Sequence, residues 1–160
     1  MFSALQTLYN KNKMEKSVWN HRMGEAVVMW NYALEVAELQ VKKNRGFVLE
    51  HPSSASSWKE SKVDDVLSLP GVKLISFDQC RFGLKSPMGK PMRKATRFLT
   101  NMDSVVVRFA GRRCLCAEPH REIQGSEAGH RLSVYAQSYP PMLVQGLAAA
   151  ASEFCAALRP

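Results

Sequence analysis

Residues 47–78 read FVLEHPSSASSWKESKVDDVLSLPGVKLISFD and alternate apolar runs with polar or chain-breaking segments. The run 47–49 is short and wholly apolar, which is typical of a buried strand in a parallel sheet. Pro52 closes that run, and the spacing beyond it predicts a helix near 57–69. A second apolar strand is predicted over 72–77. Strand, helix and strand in this order favour an α/β sheet.

A long helix is predicted before this stretch, over residues 15–44. Ser17 would cap its start, and Gly46 is a stop signal after its last turn. Packing explains its stripe of apolar side chains better than a ligand-binding role does. The stripe recurs at helical spacing and contains Trp19, Met23, Ala26, Val27, Trp30, Ala33, Leu34, Ala37 and Val41.

The chain after residue 78 shows weaker patterns. Glycines and prolines punctuate 81–97, which is predicted to be a long irregular loop. Short strands are expected at 98–100 and 105–109, with a helical turn as the alternative for the second. Residues 111–138 are predicted to be a second irregular loop. A final helix should follow Tyr139-Pro140-Pro141, with proline in its first turn.

The bulk properties favour one domain that spans residues 1–160. We expect an α/β fold, namely a partial doubly wound sheet with flanking helices, incomplete because two convincing central strands are few. The cysteines Cys80, Cys114, Cys116 and Cys155 have irregular spacing and no secretory leader precedes them, which predicts reduced thiols and a nuclear or cytoplasmic location. No apolar run approaches the roughly 18 residues of a membrane span, so no membrane partner is expected.

The net charge of +8 attracts polyanions, although a charge of this size can also serve solubility alone. Part of the excess lies in the 81–97 segment, which has no acidic residue. Such a cluster predicts contacts with nucleic acid. The candidate contact residues are Arg81, Lys85, Lys90, Arg93, Lys94, Thr96 and Arg97.

Glu50 is the strongest single candidate for chemistry. It follows the predicted strand 47–49, and open α/β sheets bind ligands at the carboxyl ends of their strands. Its carboxylate could accept hydrogen bonds from a base or hold a proton. The alternative is an ordinary solvent-exposed glutamate at a strand end.

Metal and nucleotide sites are weakly indicated. Cys114, Cys116, His120 and His130 could form a zinc site, but one residue between the cysteines and widely separated histidines do not match the usual spacing. We therefore predict no metal site. The chain contains neither GxGxxG nor a Walker sequence, so nothing indicates a cradle for nucleotide phosphates.

Several motifs together resemble a known family. Residues 47–52 with Ser56-Ser57-Trp58 resemble the "ENP…S…W" segment of phage-type cytosine-5 DNA methyltransferases. Residues 78–83 with 93–101 are similar to their "CQYG…KPT…TN" segment. Further matches follow in the order that those proteins show: Cys114, His120, Gly125 and Tyr139-Pro140. The chain is even more similar to uncharacterised regions of copia-type retroelement polyproteins from unicellular algae, and the resemblance covers most of residues 1–147.

The resemblance implies a methyltransferase-like Rossmann sheet in which Glu50 contacts the target cytosine and Lys94, Thr96 and Arg97 lie near DNA. His51 replaces the family's asparagine, and Ala95 replaces the proline of "KPT". The family's Pro-Cys nucleophile and its S-adenosylmethionine loop would lie upstream and are absent from this sequence. We therefore expect no cofactor in this chain, and S-adenosylmethionine only if an upstream half is present.

Three hypotheses remain. The first is an inactive fragment of a methyltransferase-like domain, whose partner would be the rest of a larger polyprotein. The second is a basic nucleic-acid-binding module that keeps the fold without the chemistry. The third is an unrelated enzyme built around Glu50 and His51.

Overall fold

The computed structural model describes residues 14–158. The chain also contains two short 3-10 helices, Ser56–Lys59 and Gln79–Phe82. The α-helices are α1 (Lys16–Lys42), α2 (Ser61–Leu67), α3 (Asp103–Phe109), α4 (Leu132–Tyr135) and α5 (Pro141–Ala157). The strands are β1 (Val48–Pro52), β2 (Lys73–Asp78), β3 (Ala95–Thr100), β4 (Ser126–Glu127) and β5 (His130–Arg131).

The main sheet has three strands in the order β1-β3-β2. β3 is antiparallel to both neighbours, so Phe98 lies opposite Glu50 on one side and Ile75 on the other. β1 and β2 consequently run in the same direction, and the connection between them contains α2. The expected mixture of helices and strands is confirmed. The expected parallel pairing is wrong for these strands, because β3 inserts between the two that were predicted to be central.

The insertion of β3 also corrects the predicted loop over 81–97, because strand structure already begins at Ala95. Thr96 is buried and Arg97 is half-buried, and the two lie on opposite faces of the sheet. The first half of β3 contains the polar residues Thr96 and Arg97, so it lacks the apolar periodicity that is the main sequence signal for a strand. For this reason it was not predicted.

Both faces of the sheet are covered by helices. Leu49, Leu74 and Leu99 share one face and pack with α1 and α2 in a cluster that includes buried Trp30 and Leu34. The opposite face carries Ile75, Phe77 and Phe98, which pack against α3 and α5. Burial on two faces accounts for the apolar residues of β2 and of the second half of β3. The predicted burial of 47–49 is wrong in part, because Val48 is exposed and Phe47 and Leu49 are half-buried.

The helices largely follow the predicted positions. The predicted helix over 15–44 is α1, but Ser17 does not cap it, since its hydroxyl donates to the side chain of Glu15. The segment predicted as one helix near 57–69 is a 3-10 helix followed by α2. The ambiguous segment 105–109 belongs to helix α3 and not to a strand.

The predicted irregular segment 111–138 does contain short elements, namely the β4–β5 hairpin and α4. Its apolar anchor is Leu132, which is fully buried with Leu84, Met92 and Ala136. This contact packs the end of the segment against residues 84–92. Within residues 14–158, no helix combines the length and apolar character needed to cross a bilayer.

Candidate functional site

Residues 81–94, here called the basic loop, have a backbone that is held by several hydrogen bonds. Lys85 forms a β-bridge with Pro91, and the Ser86 amide donates to the Lys90 carbonyl at 2.7 Å. The side chains of Arg81, Lys85 and Lys90 are exposed. These three residues are therefore presented to solvent on a folded hairpin and not on a disordered segment.

The other predicted contact residues are less accessible. Arg93 is exposed but pairs with the fully buried carboxylate of Asp78 at 3.3 Å. Lys94 is half-buried and donates to the Ala136 carbonyl at 3.0 Å. Thr96 has no exposed surface and accepts a hydrogen bond from Gln79, and Arg97 is half-buried on the α1 side of the sheet. The structure thus divides the predicted set into exposed and internally engaged members.

The prediction that Glu50 follows the strand is wrong, because β1 continues to Pro52 and Glu50 pairs with Phe98 in the middle of it. Its side chain lies on the sheet face opposite α1, close to Lys94 and Tyr139. Its Oε1 is buried and, among the described residues, has no hydrogen-bond partner. Burial lowers the pKa of Lys94, and the charge of Glu50 opposes that effect. Burial raises the pKa of Tyr139, as do the charge and hydrogen bonding of Glu50. The structure therefore brings Glu50 next to the end of the basic loop, and its contact with a base stays a prediction.

A cluster of potential metal ligands lies beside the basic loop. One ligand atom from each of four side chains lies within 4.8 Å of all the others. Cys80 is buried on the 3-10 helix after β2, whereas the other three members are half-buried in the segment after α3. The members of this Cys/His cluster are Cys80, Cys114, Cys116 and His120.

The Cys/His cluster differs from the zinc set considered from the sequence. His130 is not part of it, because His130 is exposed and its ring lies 5.7 Å from that of Tyr135. Cys80 takes the fourth place. Sequence spacing did not reveal Cys80, since it lies before β3 and only folding brings it to Cys114. The available signal was the motif order, which contained Cys80, Cys114 and His120.

Hydrogen bonds fix the centre of the cluster. The Cys114 amide donates to Asp78 Oδ2 at 3.0 Å, and the Cys116 amide donates to Cys114 Sγ at 3.3 Å. His120 Nε2 lies 3.2 Å from the same sulfur. The main chain of Cys114 is therefore tied to the end of β2, and its sulfur receives two polar neighbours.

The thiols differ in how readily they ionise. The hydrogen bond from the Cys116 amide lowers the pKa of Cys114. Burial, followed by the neighbouring thiols, raises the pKa of Cys80 to about 12. Burial also raises the pKa of Cys116. Cys114 is therefore the thiol of the three whose pKa the protein lowers, and a bound cation would favour the thiolate form of all three.

The chemistry of these residues is the main guide to function. No protein-family model, curated protein or solved structure compared with this chain matches it.

Proposed function

We propose that this chain is a basic module that binds nucleic acid without sequence preference. The observation that carries the proposal is the exposure of Arg81, Lys85 and Lys90 on the basic loop. Phosphate contacts of this kind release counterions and carry no sequence information.

The backbone of the basic loop supports this role. Its two sides are joined by a hydrogen bond from the Met92 amide to the Leu84 carbonyl at 3.0 Å. A further bond runs from the Arg121 amide to the Pro91 carbonyl at 2.8 Å. Glu127 accepts a hydrogen bond from the Met88 amide at 3.2 Å and pairs with Arg121. A loop ordered before binding loses little conformational entropy on binding.

More cations lie at the same end of the sheet. The Asp78 amide donates to the Arg112 carbonyl at 3.0 Å, directly before the 3-10 helix that carries Arg81. Arg112 and Arg113 are both exposed. The positive surface therefore extends from the basic loop to the start of the segment after α3.

Salt-dependent binding of a fluorescent oligonucleotide tests the proposal. Replacing Arg81, Lys85 and Lys90 together by Ala should lower the log–log salt slope by about 2 to 3, since each lost phosphate contact removes roughly 0.7 to 0.9. The matched control replaces three exposed cations away from the basic loop by Ala, namely Lys16 and Arg22 in α1 and Lys43 directly after it, and should leave the slope nearly unchanged. Equal slopes for the two triple variants would contradict the proposal.

A second candidate is the methyltransferase-like fragment of a retroelement polyprotein. It is favoured by β1 and β2, which run in the same direction and are joined through a helix, as in a β-α-β unit, with the antiparallel β3 lying between them. Glu50, at half-buried β1, would then contact a base beside Lys94. The nucleophile and S-adenosylmethionine would have to come from other sequence. The chain alone should transfer no labelled methyl group to DNA, and transfer above background would contradict this expectation.

A further inference from the structure

We propose that the Cys/His cluster binds one zinc ion and that this ion fastens the segment after α3 to the end of β2. This inference is independent of nucleic-acid binding. It rests on the convergence of three sulfurs and one imidazole nitrogen within 4.8 Å of one another.

The spacing of the ligand atoms fits a tetrahedral ion. Zinc binds cysteine sulfur at about 2.3 Å and histidine nitrogen at about 2.0–2.1 Å, so two sulfurs on a tetrahedron lie about 3.8 Å apart. The Cys114 sulfur already lies 3.2 Å from His120 Nε2. Separations within 4.8 Å for the whole set therefore need only small side-chain movements to close around an ion.

The donor types favour zinc over other common ions. Three thiolates and an imidazole suit zinc, whereas magnesium and calcium prefer oxygen ligands. Four protein ligands complete the tetrahedron and leave no open position for a substrate water. Such closed sites are structural and not catalytic.

The surrounding charges suit a zinc–thiolate group. Three thiolates and a neutral imidazole around Zn²⁺ carry a net charge of −1. Exposed Arg112 and Arg113 directly precede Cys114, and Arg81 directly follows Cys80. The buried carboxylate of Asp78 fixes the Cys114 amide at 3.0 Å, which orients the backbone that carries two of the ligands.

The segment that supplies three ligands has little else to order it. None of residues 111–125 is buried, and Leu115 is 73% exposed. Backbone hydrogen bonds join Gly111 and Arg112 to β2 and Arg121 to Pro91, and Ile123 packs at the edge of the Leu132 cluster, so residues 113–120 between these contacts depend most on the ligands. Without an apolar core, a stretch of this length needs another source of free energy to offset its lost conformational entropy. A bound metal supplies it, since binding energy contributes directly to folding.

Metal content and cobalt spectra test the site. The purified full chain, incubated with zinc and dialysed, should hold one zinc per chain by elemental analysis. Cobalt in its place should give the absorption of a tetrahedral thiolate site. Cys116→Ser and His120→Ala change half-buried residues, so the chain should still fold, as circular dichroism would verify, and each should weaken zinc binding at least tenfold.

Matched controls separate the site from other thiols and imidazoles. Cys155→Ser and His130→Ala remove an exposed cysteine and an exposed histidine outside the Cys/His cluster and should retain one zinc per chain. Absence of zinc from the wild-type chain, or equal loss in the control variants, would overturn the proposal. A disulfide between cluster cysteines that persists in freshly reduced and zinc-treated protein would overturn it as well.

Limited proteolysis tests the fastening role. Trypsin should cut at Arg112, Arg113 and Arg121 at least tenfold faster after chelation, with little change at sites in α1. Cleavage at these arginines that is insensitive to chelator would contradict the fastening role. Nucleic-acid affinity, measured separately, distinguishes a failure here from a failure of the proposed function.

Discussion

At the residue scale, His51 shows how burial changes the pKa of a side chain. Its ring lies 4.9 Å from the ring of Trp30 and 6.1 Å from that of Trp58, and its Nδ1 is 3.2 Å from the Glu50 carbonyl. Burial lowers the pKa of His51 below its ordinary value of 6.5, and the hydrogen bond to Glu50 only partly opposes this. The sequence identified His51 as a departure from the family's asparagine but did not reveal that it packs against two tryptophans that also contact each other.

The lowered pKa of His51 predicts a pH dependence of stability. The unfolded chain binds a proton near pH 6.5 and the folded chain only at lower pH, so the free energy of unfolding should decrease as pH falls below about 6.5. His51→Gln should flatten this decrease in urea titrations between about pH 7 and 5. His21→Gln changes an exposed histidine and serves as the control. A pH profile of His51→Gln that is parallel to that of the wild type would rule out this role.

At the scale of elements, helix–helix contact explains where glycine is needed. A Cβ at Gly146 of α5 would lie 2.9 Å from the buried ring of Phe109 in α3, whereas a Cβ at Gly24 of α1 would meet nothing within 4 Å. The same two helices are also joined by the ion pair of Arg108 with Glu153. Close packing, and not local propensity, therefore accounts for Gly146.

These two glycines predict opposite effects of the same substitution. Gly24→Ala should raise the free energy of unfolding by roughly 0.5–1 kcal/mol through better helix propensity. Gly146→Ala gains the same propensity but overpacks the core, which typically costs about 1–3 kcal/mol, so it should be neutral to destabilising by about 2 kcal/mol. Urea denaturation measures both. Stabilisation by Gly146→Ala equal to that by Gly24→Ala would show that the α3–α5 contact is looser than described.

The elements also show what pattern reasoning can recover. α1 and α5 follow from long apolar periodicity, and β2 from its apolar run. Only the second half of β3, residues 98–100, was predicted as a strand, because Ala95–Arg97 shows no apolar periodicity. The choice between strand and helix for α3 was open because a short apolar run fits both.

At the scale of the whole molecule, pairing and convergence depend on long-range contacts. The sequence predicted strands and helices in an α/β arrangement, but not that β3 would lie between β1 and β2. The Cys/His cluster likewise depends on contacts between residues that are distant in the sequence. The basic loop could be located from composition alone, whereas Cys80 joins Cys114, Cys116 and His120 only after the segment following α3 folds back onto β2.

The zinc centre is the central claim, and X-ray absorption at the zinc edge of the zinc-loaded chain tests it most directly. The spectrum should show three sulfur ligands at about 2.3 Å and one nitrogen at about 2.0–2.1 Å. That first shell matches the three sulfurs and one imidazole nitrogen of the Cys/His cluster. A shell composed of oxygen and nitrogen alone would mean that zinc binds elsewhere on the surface, and it would contradict the account.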